Sequence, residues 1–232
     1  MKSIFRFGFV FLLAIVLQGC ATSAGRMPGS VMTVRTGTLH GVSPIRSWKE
    51  LRDQNVVLQK FDYSCGAGAL ATLMRYYFGD NVSEEMILAG ILGSMNEKEV
   101  RDREANGLSL LDLKNYAERR GYQAVGVKLN YASLPKLRGP VLIHLERKDY
   151  RHFAVLKGVR GDRVYLADPS RGNIRLSMDR FAQEWTGIAL VLGKQGFGLP
   201  PKFPLALENQ ELVPNEVLAA RESLFNSNPA FP

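Results

Sequence analysis

The sequence predicts an α+β fold in which helices are followed by an antiparallel sheet. Between residues 64 and 121 the apolar residues recur at helical spacing, whereas between 124 and 193 they form short β-branched segments separated by turn signals. The 232-residue chain is 46% hydrophobic and 22% charged, a composition that supplies enough apolar side chains for a buried core. We therefore expect one domain over residues 51–192, followed by a proline-rich extension over residues 193–232.

Three helices are predicted in the first half of this domain. Each follows a serine that can accept a hydrogen bond from the first helical turn: Ser64, Ser83 and Ser109. The first helix starts at Cys65. Its apolar stripe comprises Leu70, Leu73, Met74, Tyr77 and Phe78. Asp112 supports the third start as a capping-box partner, and Gly121 ends that helix. The polar segment 93–107 between the second and third helices is either a solvated helix or a loop.

Five strands are predicted in the second half, because five short segments rich in β-branched residues are separated by turn residues. They are "AVGVKL" (124–129), "GPVLIHLE" (139–146), "HFAVLKGV" (152–159), "RVYLADP" (163–169) and "IALVLG" (188–193). Gly161-Asp162 joins the third and fourth of these strands as a two-residue hairpin turn. A short helix, "MDRFAQEW" (178–185), follows Ser177 as its cap.

The first residues, "MKSIFRFGFVFLLAIVLQGC", predict export from the cytosol. A short basic region precedes an apolar run of roughly ten residues, which is the pattern of a secretory signal peptide. The run is too short to span a bilayer as a helix, which takes about 20 residues. The ending "LQGC" resembles a bacterial lipobox and predicts removal of residues 1–19 and lipidation of Cys20. Gln18 departs from the small residue usual at its place, and the alternative is a plain signal peptide with an incidental cysteine.

A lipid anchor at Cys20 would hold the protein on the periplasmic side of the bacterial envelope and attach it to the membrane. Ala21 follows the cysteine where lipoproteins retained in the inner membrane often carry Asp, which favours the outer membrane. Residues 20–50 contain Gly, Ser, Thr, Pro and Arg without clear periodicity. We interpret them as a tether with one strand near "VMTVRTG".

The formal net charge of +8 does not predict nucleic-acid binding, because the basic residues are spread along the chain and do not interleave with aromatic residues. The two cysteines are more informative. If Cys20 is lipidated or removed, Cys65 is the remaining thiol in an oxidising compartment, where proteins usually pair their cysteines. A thiol retained alone in such a compartment favours a chemical role over a packing role.

Cys65, His152 and Asp168 have the chemistry of a cysteine protease, which needs a thiolate, a proton-shuttling histidine and a group that orients the histidine. Cys65 begins a helix, where free backbone N–H groups favour an anion. His152 opens one predicted strand and Asp168 ends the next, so pairing across the hairpin turn would place both at one edge of the sheet. Taken singly, each has an ordinary alternative: a buried cysteine, a solvated strand-end histidine and a turn-forming aspartate before proline.

Gln59 precedes Cys65 and could donate a side-chain N–H to the oxyanion that forms when a peptide carbonyl is attacked. By itself it could equally be a surface residue. Of the other histidines, we interpret His40 as a surface residue and His144 as a core or sheet-face residue. No cofactor or metal site is predicted, because the sequence has no C-x-x-C or H-x-x-H spacing and no glycine-rich phosphate loop.

The stretches "QKFDYSCGAGAL", "GLSLLDLKNYAERRGY" and "HFAVLKGVRGDRVYLADPSRG" resemble the C39 peptidases, papain-like enzymes that trim leader peptides during bacteriocin export. The resemblance covers roughly residues 52–192 in order and spacing. It implies a papain-like α+β fold and a cysteine endopeptidase that needs no cofactor. It also implies roles for four residues, namely Cys65 as nucleophile, His152 as base, Asp168 as orienting carboxylate and Gln59 as oxyanion donor. Ser64 departs from the family, since many C39 domains fused to transporters carry Asp before the cysteine.

A free-standing, exported C39 domain is similar to the C39 proteins of bacterial functional-amyloid secretion systems. This likeness implies an extended polypeptide substrate, partners among secretion or amyloid-assembly proteins, and a role in processing or assembling an extracellular fibre. Three other functions stay open at this point. A peptide-binding C39-like module would have lost its nucleophile, and a thiol redox protein would need a second, resolving cysteine. An amidase or acyl transferase would use the same Cys-His-Asp chemistry.

Overall fold

A computed structural model describes residues 31–36, 39–44, 47–147 and 150–207. The predicted signal peptide, Cys20 and the part of the extension beyond residue 207 lie outside the described residues. Within those described ranges, no helix combines the length and the hydrophobicity that crossing a bilayer requires. The chain divides into two compact units, one up to Ser47 and one from Trp48 onward.

The first unit contains a hairpin of two antiparallel strands, β1 (Val31–Thr36) and β2 (Leu39–Pro44). The sequence predicts one strand here, near "VMTVRTG", and that strand is β1. The second strand was missed because its sequence, "LHGVSP", contains Gly and Pro and lacks the alternation of polar and apolar residues that marks a strand.

The second unit contains the predicted peptidase-like domain. Its helices are α1 (Trp48–Asp53), α2 (Cys65–Tyr76), α3 (Glu84–Leu92), α4 (Glu97–Asn106), α5 (Leu110–Arg119) and α6 (Met178–Glu184), with a 3-10 helix at Tyr131–Lys136. Its strands are β3 (Tyr122–Lys128), β4 (Val141–Arg147), β5 (Tyr150–Arg160), β6 (Arg163–Asp168), β7 (Gly172–Ser177) and β8 (Trp185–Lys194).

Side-chain caps confirm most of the predicted helix starts. Ser83 accepts a hydrogen bond from the N–H of Met86, and Ser109 and Asp112 form the predicted capping box at the start of α5. The polar segment 93–107 is largely helical, since Asn96 and Glu99 form a further capping box at the start of α4. No residue of α4 is buried, which agrees with its interpretation as a solvated helix.

The six strands of the second unit form one antiparallel sheet in the order β3-β8-β4-β5-β6-β7. Strands β5 and β6 pair with Arg160 opposite Arg163, so Gly161-Asp162 is the two-residue turn that the sequence predicts. Gly161 has a φ of +56°, a conformation that glycine adopts without strain. Strand β7 was not predicted, because its sequence "GNIRLS", at the edge of the sheet, is too polar to mark a strand.

Apolar side chains fill both faces of this sheet. Along β4, Leu142 points to the face that α2, α3 and α5 cover, whereas Ile143 points to the face that α6 and the 3-10 helix cover. The helices thus pack on an antiparallel sheet as the predicted α+β fold requires. The first part of the predicted extension also joins this core, because Leu205 is fully buried and Phe203 lies edge-on to Tyr77 at 4.7 Å.

Candidate active site

Cys65 is the first residue of α2, which packs on β5, and it is a buried free thiol. Ser64 immediately before it does not cap the helix with its side chain as predicted. Its backbone (φ −97°, ψ 8°) is not extended, and its hydroxyl accepts from the Phe61 N–H and contacts the Glu84 carboxylate instead. The first N–H groups of α2 therefore have no side-chain cap at the point where Cys65 begins the helix.

Glu84 binds the loop that precedes Cys65 through hydrogen bonds. Its carboxylate is 1% exposed, accepts from the Lys60 N–H at 2.9 Å and contacts the Ser64 hydroxyl. Burial of a carboxylate is tolerated when hydrogen bonds satisfy it, and both of these donors lie in the loop before α2. This role of Glu84 was not predicted, because a glutamate in the first turn of a helix is ordinarily a solvated group near the helix dipole.

His152 and Asp168 form a buried pair. His152 Nε2 lies 2.9 Å from Asp168 Oδ1, and the side chains are 2% and 0% exposed. The pairing of β5 with β6 places them together, because Val155 lies opposite Ala167 and each of the two polar residues points to the same face of the sheet. The predicted proximity of His152 and Asp168 at one sheet edge is confirmed.

Asp168 accepts more hydrogen bonds than the one from His152. Its Oδ1 accepts from the Ser170 N–H at 2.8 Å and from the Arg171 N–H at 3.1 Å, and its Oδ2 accepts from Arg171 Nε at 2.8 Å. Burial alone would raise the pKa of Asp168, but the hydrogen bond from His152 and the charges of His152 and Arg171 hold it well below its usual value. The carboxylate is therefore ionised at neutral pH and can only accept.

His152 is held in its protonated form. Burial lowers its pKa, but hydrogen bonds to Asp168 and to Cys65 outweigh burial and raise the pKa to about 9. With Nε2 bound to Asp168, the hydrogen bond to Cys65 involves the other ring nitrogen, Nδ1, which also lies 3.0 Å from the Tyr150 hydroxyl. A protonated imidazole beside a cysteine is the counter-ion that stabilises a thiolate.

A cavity of about 640 Å³ opens beside Cys65. One wall comes from α4 and α5 with the turn between them, including Arg103 and Leu110, and the other comes from β4 and β5, including Glu146 and Arg151. A cleft of this size accommodates several residues of a ligand. The cavity therefore reaches the thiol between two walls that carry charges of both signs.

His144 lines the same cavity, which extends the sequence-based interpretation of a core or sheet-face residue. Its ring packs against Phe153 with the centroids 5.1 Å apart, and its Nδ1 lies 3.3 Å from the Thr186 hydroxyl. Burial lowers the pKa of His144, so this ring is neutral where His152 is charged. The two histidines of the site are thus chemically distinct.

Gln59, the predicted oxyanion donor, lies beside the Asp168 turn because its backbone N–H donates to the Pro169 carbonyl at 2.8 Å. Its side-chain NH₂ donates to the Phe61 carbonyl at 2.9 Å, and its buried Oε1 has no hydrogen-bond partner among the described residues. The NH₂ group thus serves its own loop in this structure. The oxyanion role of Gln59 stays a prediction, and it requires the amide to turn towards the substrate.

The glycines after Cys65 allow close packing around the start of α2. A Cβ on Gly66 would lie 3.1 Å from the Leu113 side chain, and a Cβ on Gly68 would lie 2.9 Å from Pro169. Both glycines therefore let α2 approach its neighbours closely, and Gly68 does so at the turn that carries Asp168. Among the described His, Cys, Asp and Glu side chains, no three lie together in a way that could hold a metal ion.

Comparison with known proteins finds a family match and curated relatives. The chain matches the peptidase C39 family over residues 53–196. The probable functional amyloid protease FapD of Pseudomonas aeruginosa is 35% identical over 185 residues, which are 80% of this chain and 77% of the relative. The protein of the same description from Pseudomonas fluorescens is 35% identical over 204 residues, which are 86% of this chain and 88% of the relative.

A solved structure supports the fold. The peptidase domain of Streptococcus ComA, a bifunctional ABC transporter involved in quorum sensing, matches with a TM-score of 0.51 and 24% identity. The match covers 60% of this chain and 98% of that domain. The predicted papain-like arrangement of helices on an antiparallel sheet is confirmed.

Proposed function

The chain belongs to the peptidase C39 family as a FapD-type member, and from this premise we propose that it is an exported peptidase that cleaves a secreted polypeptide during the processing or assembly of an extracellular amyloid-type fibre. Family membership makes it a cysteine peptidase. The observation that carries the proposal is the His152–Asp168 pair, buried at 2.9 Å beside the free thiol of Cys65.

The geometry fits a two-step hydrolysis. The Cys65 thiolate attacks the peptide carbonyl, and protonated His152 delivers its proton to the leaving amine, which leaves a thioester on Cys65. Water then attacks the thioester while His152 takes its proton, which releases the acid and restores the Cys65 thiolate beside protonated His152. Asp168 keeps the His152 ring turned so that Nδ1 faces Cys65, and the first N–H groups of α2, with Gln59, are the candidate donors to the oxyanion.

An extended polypeptide suits this site better than a folded one. The thiol is buried, and the cavity beside it runs between the α4–α5 wall and the β4–β5 wall. A polypeptide must be extended, with its backbone exposed, to reach Cys65 between those walls. An amyloid precursor held unfolded for secretion meets that requirement, and the similarity to proteins described as functional amyloid proteases supports this substrate class.

The proposed location is the periplasmic side of the envelope, with a lipid anchor at Cys20. We expect the mature protein to begin at Cys20 and to fractionate with membranes, since one diacyl group plus an N-acyl chain anchors stably. Cys20→Ala should release the protein into the soluble periplasmic fraction or leave it unprocessed, whereas Cys65→Ala should leave it attached. Mass spectrometry of the N-terminus checks this, and a mature soluble protein that begins elsewhere than residue 20 would contradict it.

The role in secretion is tested by comparing exported proteins from cells that carry wild-type protein or Cys65→Ala. We expect the variant to lose a cleavage product and to export less fibre, because hydrolysis stops without the nucleophile. Leu111→Ala, an exposed change on α5, is the control and should process normally.

Normal cleavage and fibre export in the Cys65→Ala cells would contradict the proposal and would favour a peptide-binding or scaffolding role. The chemistry of the products separates peptidase from acyl transferase. A peptidase releases a new carboxyl end and a new amino end, whereas an acyl transferase leaves an amide or ester on the acyl product.

A further inference from the structure

Tyr150 contacts His152 from the same strand, two residues earlier in β5. Its ring stacks on the His152 ring with the centroids 5.3 Å apart and an interplanar angle of 21°. Its hydroxyl oxygen lies 3.0 Å from His152 Nδ1, the nitrogen that must exchange a proton with Cys65. The Tyr150 side chain is 52% exposed, so this contact lies at the surface of an otherwise buried pair.

The direction of this hydrogen bond follows from the partners of the imidazole. The ionised Asp168 carboxylate can only accept, so His152 Nε2 carries a proton and, in the neutral ring, Nδ1 is an acceptor. Burial raises the pKa of Tyr150, and the nearby Cys65 and Asp168 add to the effect, so the phenol keeps its proton. The Tyr150 hydroxyl is therefore the donor to Nδ1 of neutral His152.

We propose that Tyr150 is a positioning residue for His152, whose hydroxyl donates to Nδ1 of the neutral ring and so favours the uncharged form of the Cys65–His152 pair. The proposal rests on the peptidase function proposed for the same site. When Nδ1 takes the proton of the Cys65 thiol, it becomes a donor and can no longer accept from the phenol. Formation of the thiolate–imidazolium pair therefore replaces the donation from Tyr150 to Nδ1 by donation from Nδ1 to Cys65, and Tyr150 sets how readily that pair forms.

Several elements contribute charged or titratable groups around His152 and Tyr150. They are Cys65 on α2, His144 and Glu146 on β4, Arg151 on β5, Asp168 at the end of β6, Arg171 in the turn between β6 and β7, and Glu184 on α6. All of these groups remain when Tyr150 is changed to phenylalanine, which keeps the ring stack and removes the hydroxyl alone. The substitution Tyr150→Phe therefore removes the hydrogen bond to Nδ1 together with the contact between the phenol and the Ser170 hydroxyl.

The test is to titrate His152 in the full chain and to monitor the titration by NMR of labelled histidine. In Tyr150→Phe, the pKa of His152 should rise above its wild-type value by about 0.5 to 1 pH unit, the equivalent of one neutral hydrogen bond. Because the pKa of His152 is already about 9 in the wild type, the ring is charged at neutral pH in both proteins, and the two titrations should differ between about pH 8 and 10. Tyr131→Phe is the control, since that exposed hydroxyl donates to the Ala182 carbonyl and not to a histidine.

An unchanged His152 titration in Tyr150→Phe, or one that moves to lower pH, would overturn the proposal. A downward shift would mean that the phenol accepts from the charged ring and stabilises it. The histidine titration is measured without substrate, so it tests the role of Tyr150 even if the protein has no peptidase activity. Failure of the peptidase proposal would show separately, as wild-type Cys65 alkylation that does not depend on His152.

Discussion

Alkylation of Cys65 by iodoacetamide should be fast at pH 6 and should slow about 100-fold when His152 is replaced by alanine. An unactivated thiol with a pKa near 8.5 is only about 0.3% ionised at that pH. The pKa of His152 is raised to about 9, so its ring is charged at pH 6 and can hold Cys65 as a thiolate. Without the imidazolium, the buried thiol loses its counter-ion and its reactivity falls towards that of the small ionised fraction.

The measurement is best made on a chain that carries Cys20→Ala, which leaves Cys65 as the sole thiol because the chain has two cysteines. Mass spectrometry after digestion locates the adduct. The control is His40→Ala, a change of another histidine in the separate hairpin of the first unit. Labelling that requires denaturant, or that is equally fast in His152→Ala, would contradict Cys65 as an activated nucleophile.

Asp168→Asn should lower peptide hydrolysis by about a thousandfold or more, on the scale of other orienting carboxylates. An asparagine has no charge to hold His152 protonated, and its NH₂ group can take the place of the oxygen that accepts from Nε2. The free energy of unfolding should also fall, by about 3–5 kcal/mol, because Arg171 and His152 lose a buried partner. Hydrolysis of a peptide substrate and urea unfolding measure the two effects.

The pH dependence of the free energy of unfolding also reports on the His152–Asp168 pair. The raised pKa of His152 stabilises the fold below its ordinary value of 6.5, and this stabilisation is lost as the pH rises through about 9. The rise from 6.5 to about 9 corresponds to about 3 kcal/mol. The lowered pKa of Asp168 stabilises the fold above its ordinary 3.8, and this contribution is lost as the pH falls towards its folded-state value.

Asp168→Asn should therefore flatten both limbs of the stability–pH curve, since it removes one titrating group and the main charge that raises the pKa of the other. The control is Asp162→Asn in the turn of the same hairpin, where an exposed ion pair with Arg163 should contribute less than about 1 kcal/mol. Equal pH profiles for wild type and Asp168→Asn would show that the His152–Asp168 pair is not coupled to folding.

Short-range patterns in the sequence account for what could be predicted. Ser83 and Ser109, each directly before a helical pattern, predict the starts of α3 and α5, and both caps are present. The His152–Asp168 pair was also predictable, because a two-residue turn sets the register of β5 against β6 and alternation then decides which face each side chain occupies.

The tertiary structure alone decided the contacts that cross between elements. Ser64 looks like a helix cap in the sequence, but its hydroxyl binds Phe61 and Glu84, because the packing of α3 brings a carboxylate into reach. The roles of Gly66 and Gly68 likewise depend on which side chains pack against α2, and no periodicity encodes that. Caps, turns and alternation act within a few residues and can be recognised in the chain itself, whereas these contacts depend on how whole elements pack, which a linear pattern does not specify.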